Sequence, residues 1–332
     1  MTKSDGAGKA CRRLFDYSAQ AAACCLYTCI FSVFVSGAEL STQQLVNRSI
    51  ASTETDWKAL PLFSYIEQDE DIKGGEKTTR TYRVCMLAGS PYSRLTEVDS
   101  QPLSPTQSNQ EAEKLRSAIA RRANESPKDR CRRLAQYQKN RERMFALLNE
   151  MGQAFEFQNL GVRKLDRHEV YVLQARPRPG YQPKSQETKV LTGMEGTLWI
   201  EKNTLQWVRV EAVSIKPIWF GWFIAKILPG TRFLLEQAPV TNSIWLPAFF
   251  SYAARADILW WQKGYFHSEK YREYRLLPGS TASSANVAET PRVQESVWVR
   301  NSHDKGGVSN VPSSMGRKQD AFAAGFSDLD GA

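Results

Sequence analysis

Three histidines set the first limit on the chemistry of this 332-residue chain. His168, His267 and His303 lie far apart, so no two of them stand one helical turn from each other, as a zinc-binding helix requires. The sequence also has no Gly-x-Ser-x-Gly elbow and no glycine-rich phosphate loop. We therefore predict no catalytic residue, no metal site and no cofactor, and we expect the chain not to be an enzyme.

Two carboxylates near the middle of the chain are the remaining candidates for acid–base chemistry. Glu195 and Glu201 flank a predicted strand, and lone carboxylates at strand ends are usually solvated. A hydrolase whose site assembles from distant residues stays open as one hypothesis, because such sites leave no local motif.

The stretch Gly196–Glu211 would position these carboxylates, since it is dense in β-branched and aromatic residues. We predict two strands of an antiparallel sheet joined by the polar residues 202–204. With a three-residue loop, Trp207 falls on the same face as Trp199 and on the opposite face to Leu198. A one-residue slip would reverse that arrangement.

The sequence of this hairpin resembles a motif of a known protein family. Gly-x-Leu-Trp-Ile-acid-Lys at 196–202 and Val-Arg-Val-Glu at 208–211 are similar to the central hairpin of the periplasmic lipoprotein-carrier superfamily, which includes LolA, LolB and RseB. Lys-Ile-Leu-Pro-Gly-Thr at 226–231 and Ser-Ile-Trp-Leu-Pro at 243–247 resemble later family phrases. As an order of elements, the likeness runs from Glu39 to Leu276.

The resemblance implies an α+β fold in which an antiparallel sheet curls into an unclosed half-barrel and helices plug its concave face. Periodicity supports the antiparallel part, because strands predicted at 62–68, 78–87 and 92–98 follow each other as hairpins. A polar connection is expected at 69–77, and a first helix is expected after the capping box Ser41–Gln44. The family implies binding rather than catalysis.

The first 38 residues read as an export signal. A basic start, an apolar run at 19–35 and Ser36-Gly37-Ala38 are typical of a signal peptide cleaved after Ala38. An uncleaved N-terminal membrane anchor is the alternative, because the run is close to the shortest membrane span. Cleavage would make the protein periplasmic or secreted. It would also lower the formal charge from +9 to +7, since four basic and two acidic residues leave.

Only Cys85 and Cys131 follow the predicted signal peptide. An even pair in an oxidising compartment could form a disulfide. Cys85 falls in a strand pattern and Cys131 in a helix pattern, and nothing in the sequence brings them together. We favour two buried free thiols.

The exported part divides by composition into a single domain at 39–277, which carries a charged helical insert at 109–150, and a disordered tail at 278–332. The insert holds eleven basic and six acidic residues. It reads either as a solvated charged face over a docked apolar stripe or as a contact for anionic lipid or polymer, while export excludes nucleic acid. Its candidate contacts are Arg121, Arg122, Arg130, Arg132 and Arg133.

The run from Ile215 to Leu228 is the most apolar piece after the signal, and it is too short to span a membrane. It could be core, an interfacial anchor or the lid of a cavity. Core is the prediction that the residues favour, and the resemblance favours the lid. If the family's apolar cleft is present here, aromatic residues of the hairpin and of this run would line it. The predicted cleft residues are Trp199, Trp207, Trp219, Phe220, Trp222, Phe223, Ile224, Phe233 and Trp245.

These observations leave two principal hypotheses. In the first, the chain is an exported, non-enzymatic protein that binds a lipid, an acyl chain or a lipoprotein in an apolar cleft. In the second, it is an envelope protein-interaction or sensor module of the RseB-like type that uses its basic insert. Expected partners are lipid or lipoprotein acyl chains, together with an anionic membrane surface or an envelope protein.

Overall fold

A computed structural model describes residues 40–220, 225–258 and 261–278, and the account below concerns the unit that begins at Thr42. The described α-helices are α1 (Thr42–Ala59), α2 (Pro105–Ala123) and α3 (Pro127–Ala154), and two 3-10 helices span Leu60–Leu62 and Glu187–Gly193. The first seven strands are β1 (Phe63–Lys73), β2 (Glu76–Leu87), β3 (Ser90–Val98), β4 (Gln101–Pro102), β5 (Phe155–Leu165), β6 (His168–Pro177) and β7 (Met194–Glu201). The others are β8 (Trp207–Ser214), β9 (Ile218–Phe220), β10 (Ala225–Ile227), β11 (Arg232–Pro239), β12 (Trp245–Ile258) and β13 (Trp261–Leu276). Among the described residues, no helix is both long and apolar enough to cross a membrane.

These strands form one sheet in the order β4-β3-β2-β1-β13-β12-β11-β8-β7-β6-β5, and β9 and β10 make a small hairpin beside β12. Neighbouring strands are antiparallel throughout this path. Among the described strands, β4 and β5 are the two ends and do not pair with each other, so the sheet is unclosed. The predicted α+β half-barrel is therefore confirmed.

The β1–β2 hairpin is longer than the sequence suggested. The polar connection expected at 69–77 is in fact strand, and only Gly74 and Gly75 make the turn, both with positive φ. The chain stays extended through Asp69 and Asp71 because alternate acidic residues of β1 face polar partners on β13. The prediction failed because it took charged residues as a sign of solvent exposure.

The central hairpin is present, but its expected register is wrong. Trp199 pairs with Arg209 and Ile200 pairs with Trp207, so Val208 is an extra residue in a β-bulge. The bulge places Trp207, which is 2% exposed, on the buried face with Leu198. The loop also runs longer than three residues, because the buried Glu201 carboxylate accepts hydrogen bonds from the backbone N–H groups at 203 and 204.

Helix α1 docks on this buried face through polar contacts as well as apolar ones. Trp207 donates from Nε1 to Ser49 Oγ at 3.0 Å, and Trp57 donates from Nε1 to the Gln237 side chain at 2.7 Å. The Asp56 carboxylate accepts the backbone N–H of Trp245 at 2.8 Å. Burial raises the pKa of Asp56 to about 6, although that hydrogen bond opposes the rise.

Helices α2 and α3 begin where the sequence predicts. Ser104 and Gln107 form a reciprocal capping box at the start of α2, and Ser126 caps α3 by accepting from the Asp129 backbone N–H. A proline follows each cap as the first helical residue. These two helices contain the predicted 109–150 insert and extend beyond it at both ends.

Neither of the two described cysteines, Cys85 and Cys131, forms a disulfide, as expected. Cys85 is buried in β2, whereas Cys131 is exposed on α3, so the expectation that both are buried is wrong for Cys131. Cys131 falls on the solvent side of α3, next to exposed Arg130 and Arg132.

Candidate functional site

A cavity of about 570 Å³ lies between α3 and the sheet. Its size is that of a small-molecule pocket, and its lining is largely apolar. Helix α3 contributes Met144, Leu147 and Met151, and Phe233 and Phe250 project from β11 and β12. The space borders a buried cluster that includes Val190, Leu191 and Met194, so it continues the core rather than lying on the surface.

Small residues on three adjacent strands leave the room for this cavity. Ala175 on β6 pairs with Gly196 on β7, and Gly196 pairs with Ala212 on β8. All three line the cavity. A Cβ atom added at Gly196 would lie 2.1 Å from the Glu211 carbonyl oxygen, so only glycine fits there. The row therefore forms the floor of the cavity.

The cover is provided by α3 and by the 3-10 helix at Glu187–Gly193. Met144, Leu147 and Met151 recur at the three- and four-residue spacing that aligns side chains along one helix face. The sequence predicted a docked apolar stripe on this helix, and it left residues 215–228 as core, an interfacial anchor or a lid. Residues 221–224 of that run lie outside the described ones. The sequence does indicate that α3 can cover a cavity, because its apolar spacing continues past Leu148 to Met151.

Two of the predicted cleft residues line the cavity, namely Trp207 and Phe233. Two others do not. Trp199 lies on the opposite face of the sheet beneath the Arg209 guanidinium, and Trp245 packs edge-on against His168. Of the rest, Trp219 and Phe220 belong to β9 and their side chains are not described, while Trp222, Phe223 and Ile224 lie outside the described residues.

Polar residues form one rim of the cavity. Helix α3 contributes Gln136, Asn140 and Arg143 to this rim. Gln186 and Glu187 contribute from the start of the 3-10 helix. Arg143 Nε lies 3.2 Å from Glu187 Oε1, with the two side chains 44% and 36% exposed. A hydrogen bond from its own backbone N–H lowers the pKa of Glu187, burial opposes this, and Ser185, Arg143 and Lys139 lower it further. The rim is therefore charged and accessible to water.

A second, polar cleft of about 840 Å³ lies near the start of α3. Gln136 and Asn140 line both this cleft and the apolar cavity, so the two spaces meet along α3. The remaining residues of the polar cleft are Ser90, Pro91, Arg121, Asn124, Glu125, Ser126, Asp129, Arg132, Arg133 and Tyr137.

The five predicted arginines do not form one binding surface. Arg122 is 6% exposed and donates to the carbonyl oxygens of Leu87 and Ser90. Arg133 is paired with Glu125 at 2.7 Å and also donates to Ala88 O. These two side chains attach the helices to the β2–β3 turn.

The other three arginines are solvent-exposed. Arg121 and Arg132 line the polar cleft, and Arg130 does not. Arg132 also contacts Asp129 at 2.7 Å. The sequence could not separate the two groups, because burial of Arg122 and Arg133 depends on where the distant β2–β3 turn lies.

A buried polar cluster, which sequence motifs did not indicate, lies on the same face of β1 and β13. His267 lies 2.7 Å from Asp71 Oδ1 through Nδ1 and 2.9 Å from Glu269 Oε1 through Nε2. Tyr265 donates to Asp71 and Tyr271 donates to Glu269. Burial lowers the pKa of His267, but the two carboxylates outweigh it and raise the pKa to about 9. Both ring nitrogens therefore donate to carboxylate oxygens at neutral pH.

Three carboxylates converge in the same region. Glu67, Asp69 and Glu269 are buried and present oxygens within 4.8 Å of one another. The oxygens of Glu269 already accept from His267 and Tyr271. We interpret this group as part of the structural hydrogen-bond cluster that joins β1 to β13.

Comparison with known proteins finds matches among solved structures. No protein-family model and no curated protein matches it. Similar solved structures include a DUF1329 family protein from Desulfovibrio piger (12% identity, 72% of this chain and 95% of that chain covered, TM-score 0.29). Others are a putative outer membrane lipoprotein-sorting protein domain from Vibrio parahaemolyticus (11%, 72% and 96%, 0.32) and a LolA superfamily protein from Nitrosomonas europaea (11%, 71% and 96%, 0.28).

The descriptions of the last two proteins, a lipoprotein-sorting domain and a LolA superfamily protein, name the superfamily that the hairpin sequence resembles. At these identities and TM-scores, the matches assign no ligand, partner or activity to this chain. The geometry of the cavity and its rim must carry any functional conclusion.

Proposed function

We propose that this chain is an exported, non-enzymatic binding protein that holds an acyl chain in the cavity between α3 and the sheet. The observation that carries the proposal is the apolar cavity of about 570 Å³, which continues the core and has one charged rim. A lipid, or the acyl chains of a lipoprotein, would supply the apolar surface that fits this lining. Export rests on the N-terminal pattern, which lies outside the described residues.

Burial of the acyl chain would provide the driving force. Each methylene moved from water into an apolar lining contributes about 0.8 kcal/mol, before the cost of ordering the chain. Met144 and Met151 suit such a ligand, because unbranched thioether side chains adapt to irregular apolar shapes.

An envelope protein-interaction module is the second candidate function. The polar cleft of about 840 Å³ favours it, since the cleft presents exposed Arg121 and Arg132 beside acidic residues on the charged helices. A protein partner or an anionic membrane surface would meet these groups without entering the apolar cavity.

Organic extraction of purified protein followed by mass spectrometry tests the proposal. We expect a co-purifying acyl lipid near one equivalent per chain, because an apolar cavity offers water few hydrogen-bond partners and takes up apolar ligands. Protein that yields no lipid and does not bind an added fluorescent fatty acid, yet captures an envelope protein, would replace the proposal with the interaction module.

A further inference from the structure

The charged rim of the cavity suggests what kind of head group the ligand carries. Arg143 is one helical turn from Asn140 on α3, and both line the apolar cavity on its polar side. The guanidinium of Arg143 therefore stands where the apolar lining ends and solvent begins. A ligand whose chain fills the cavity would present its polar end at this guanidinium.

The present partner of Arg143 is exchangeable. Glu187 meets it at 3.2 Å in a single contact, and both side chains are more than one-third exposed. Exposed pairs of this kind contribute little stability, so a ligand anion can compete with the glutamate. Guanidinium groups bind carboxylate or phosphate through two parallel hydrogen bonds, which the present geometry with Glu187 does not use.

The charged residues near the rim limit where an anion can bind. Arg143 and Lys139 both lower the pKa of Glu187. Among the described residues that line the cavity, Arg143 is the only cation, and the carboxylates of Glu187, Glu195 and Glu211 line it too. An anionic head group would therefore find its cationic partner at Arg143.

We propose that the cavity selects an anionic amphiphile, with the acyl chain between α3 and the sheet and the anionic head group bound by Arg143 in place of Glu187. The inference rests on the proposed function and adds the class of head group. The shared chemistry is a carboxylate or a phosphate on one acyl chain. Either a free fatty acid or a lysophospholipid could supply it.

The test compares two ligands of equal chain length on the full chain. Dodecanoate and dodecanol are titrated against wild-type protein, Arg143→Gln and Glu187→Gln, with Arg130→Gln as the control for loss of an exposed α3 arginine outside the cavity. We expect Arg143→Gln to weaken dodecanoate binding by roughly 5- to 20-fold, as loss of a charge-assisted hydrogen bond does. Dodecanol binding should change less than about twofold, because its head carries no charge.

The other two variants test whether Glu187 competes with the ligand and whether the effect is specific to Arg143. Glu187→Gln removes the competitor, so dodecanoate should bind about 2- to 5-fold more tightly, while Arg130→Gln should bind as wild type does. Dodecyl lysophosphatidylglycerol in a third arm separates the sources: the head group with the larger dependence on Arg143 is the one selected. Equal effects of Arg143→Gln on acid and alcohol, or no effect on either, would overturn the inference and leave acyl binding intact. Failure of both ligands to bind wild-type protein would instead remove the proposed function.

Discussion

Replacing Ala212 with tryptophan is expected to weaken acyl-chain binding by about 100-fold while the protein still folds. Ala212 belongs to the row of small floor residues, so an indole at this position would occupy the space above Gly196. Displacing three or four methylenes at about 0.8 kcal/mol each gives a loss of this size. Titration with a fluorescent fatty acid measures the effect, and a thermal melt checks the fold.

Two further variants serve as the control and the milder substitution for the Ala212→Trp prediction. Ala135→Trp adds the same side chain to the exposed face of α3, away from the cavity, and should bind as wild type does. Ala212→Leu adds less volume and should give an intermediate loss, which preserves the test if the tryptophan variant overpacks and unfolds. A folded Ala212→Trp protein with full affinity would show that the ligand binds elsewhere.

The largest effect on stability is expected at His267. Its imidazolium lies between the carboxylates of Asp71 and Glu269, and it also contacts the rings of Tyr252 and Tyr265. His267→Phe keeps a ring but removes both hydrogen bonds and the positive charge. Breaking a buried pair by removing one partner typically costs about 3–5 kcal/mol. Chemical denaturation at pH 6 measures this loss.

The pH dependence distinguishes charge from shape at His267. Its folded pKa of about 9 lies above the ordinary value of 6.5, so the folded state binds its proton more tightly. The stabilisation is therefore complete below about pH 6.5 and is lost as the pH rises through about 9. We expect the gap between wild type and His267→Phe to shrink over that interval.

His168→Phe is the matched control for this prediction. His168 also packs against an aromatic ring, that of Trp245, with the ring centroids 5.0 Å apart. Its replacement should cost less than about 1 kcal/mol. A pH-independent loss at His267 would mean that its ring packing, rather than its charge, stabilises the sheet.

Local patterns predicted much of the fold. The caps at Ser104 and Ser126 and most strand centres could be located because each depends on a few adjacent residues. The hairpin register could not be predicted, since the bulge at Val208 depends on how Glu201 closes the loop. One extra residue was enough to move Trp207 from the face of Trp199, where it was predicted, to the buried face of Leu198.

The site was harder to predict than the fold, because it depends on contacts between distant elements. Ala175, Gly196 and Ala212 are ordinary small residues until the register aligns them on three neighbouring strands. The run 215–228 was predicted as core, with a lid as the alternative that the family resemblance favours, and residues 221–224 of it lie outside the described ones. The described cover of the cavity comes from the more charged α3. A helix with a polar outer face can cover a cavity with only three or four apolar side chains.

Whether an acyl chain binds in the cavity can be tested directly with a photoreactive fatty acid that carries a diazirine near its methyl end. After irradiation of the full-length protein and proteolysis, we predict saturable labelling of the α3 segment around Met144–Met151 and of the strands that carry Phe233 and Phe250. An excess of unlabelled fatty acid should remove this labelling. Labelling confined to the exposed Leu160 and Val162 of the β5 edge, or labelling that unlabelled fatty acid cannot compete away, would contradict the account.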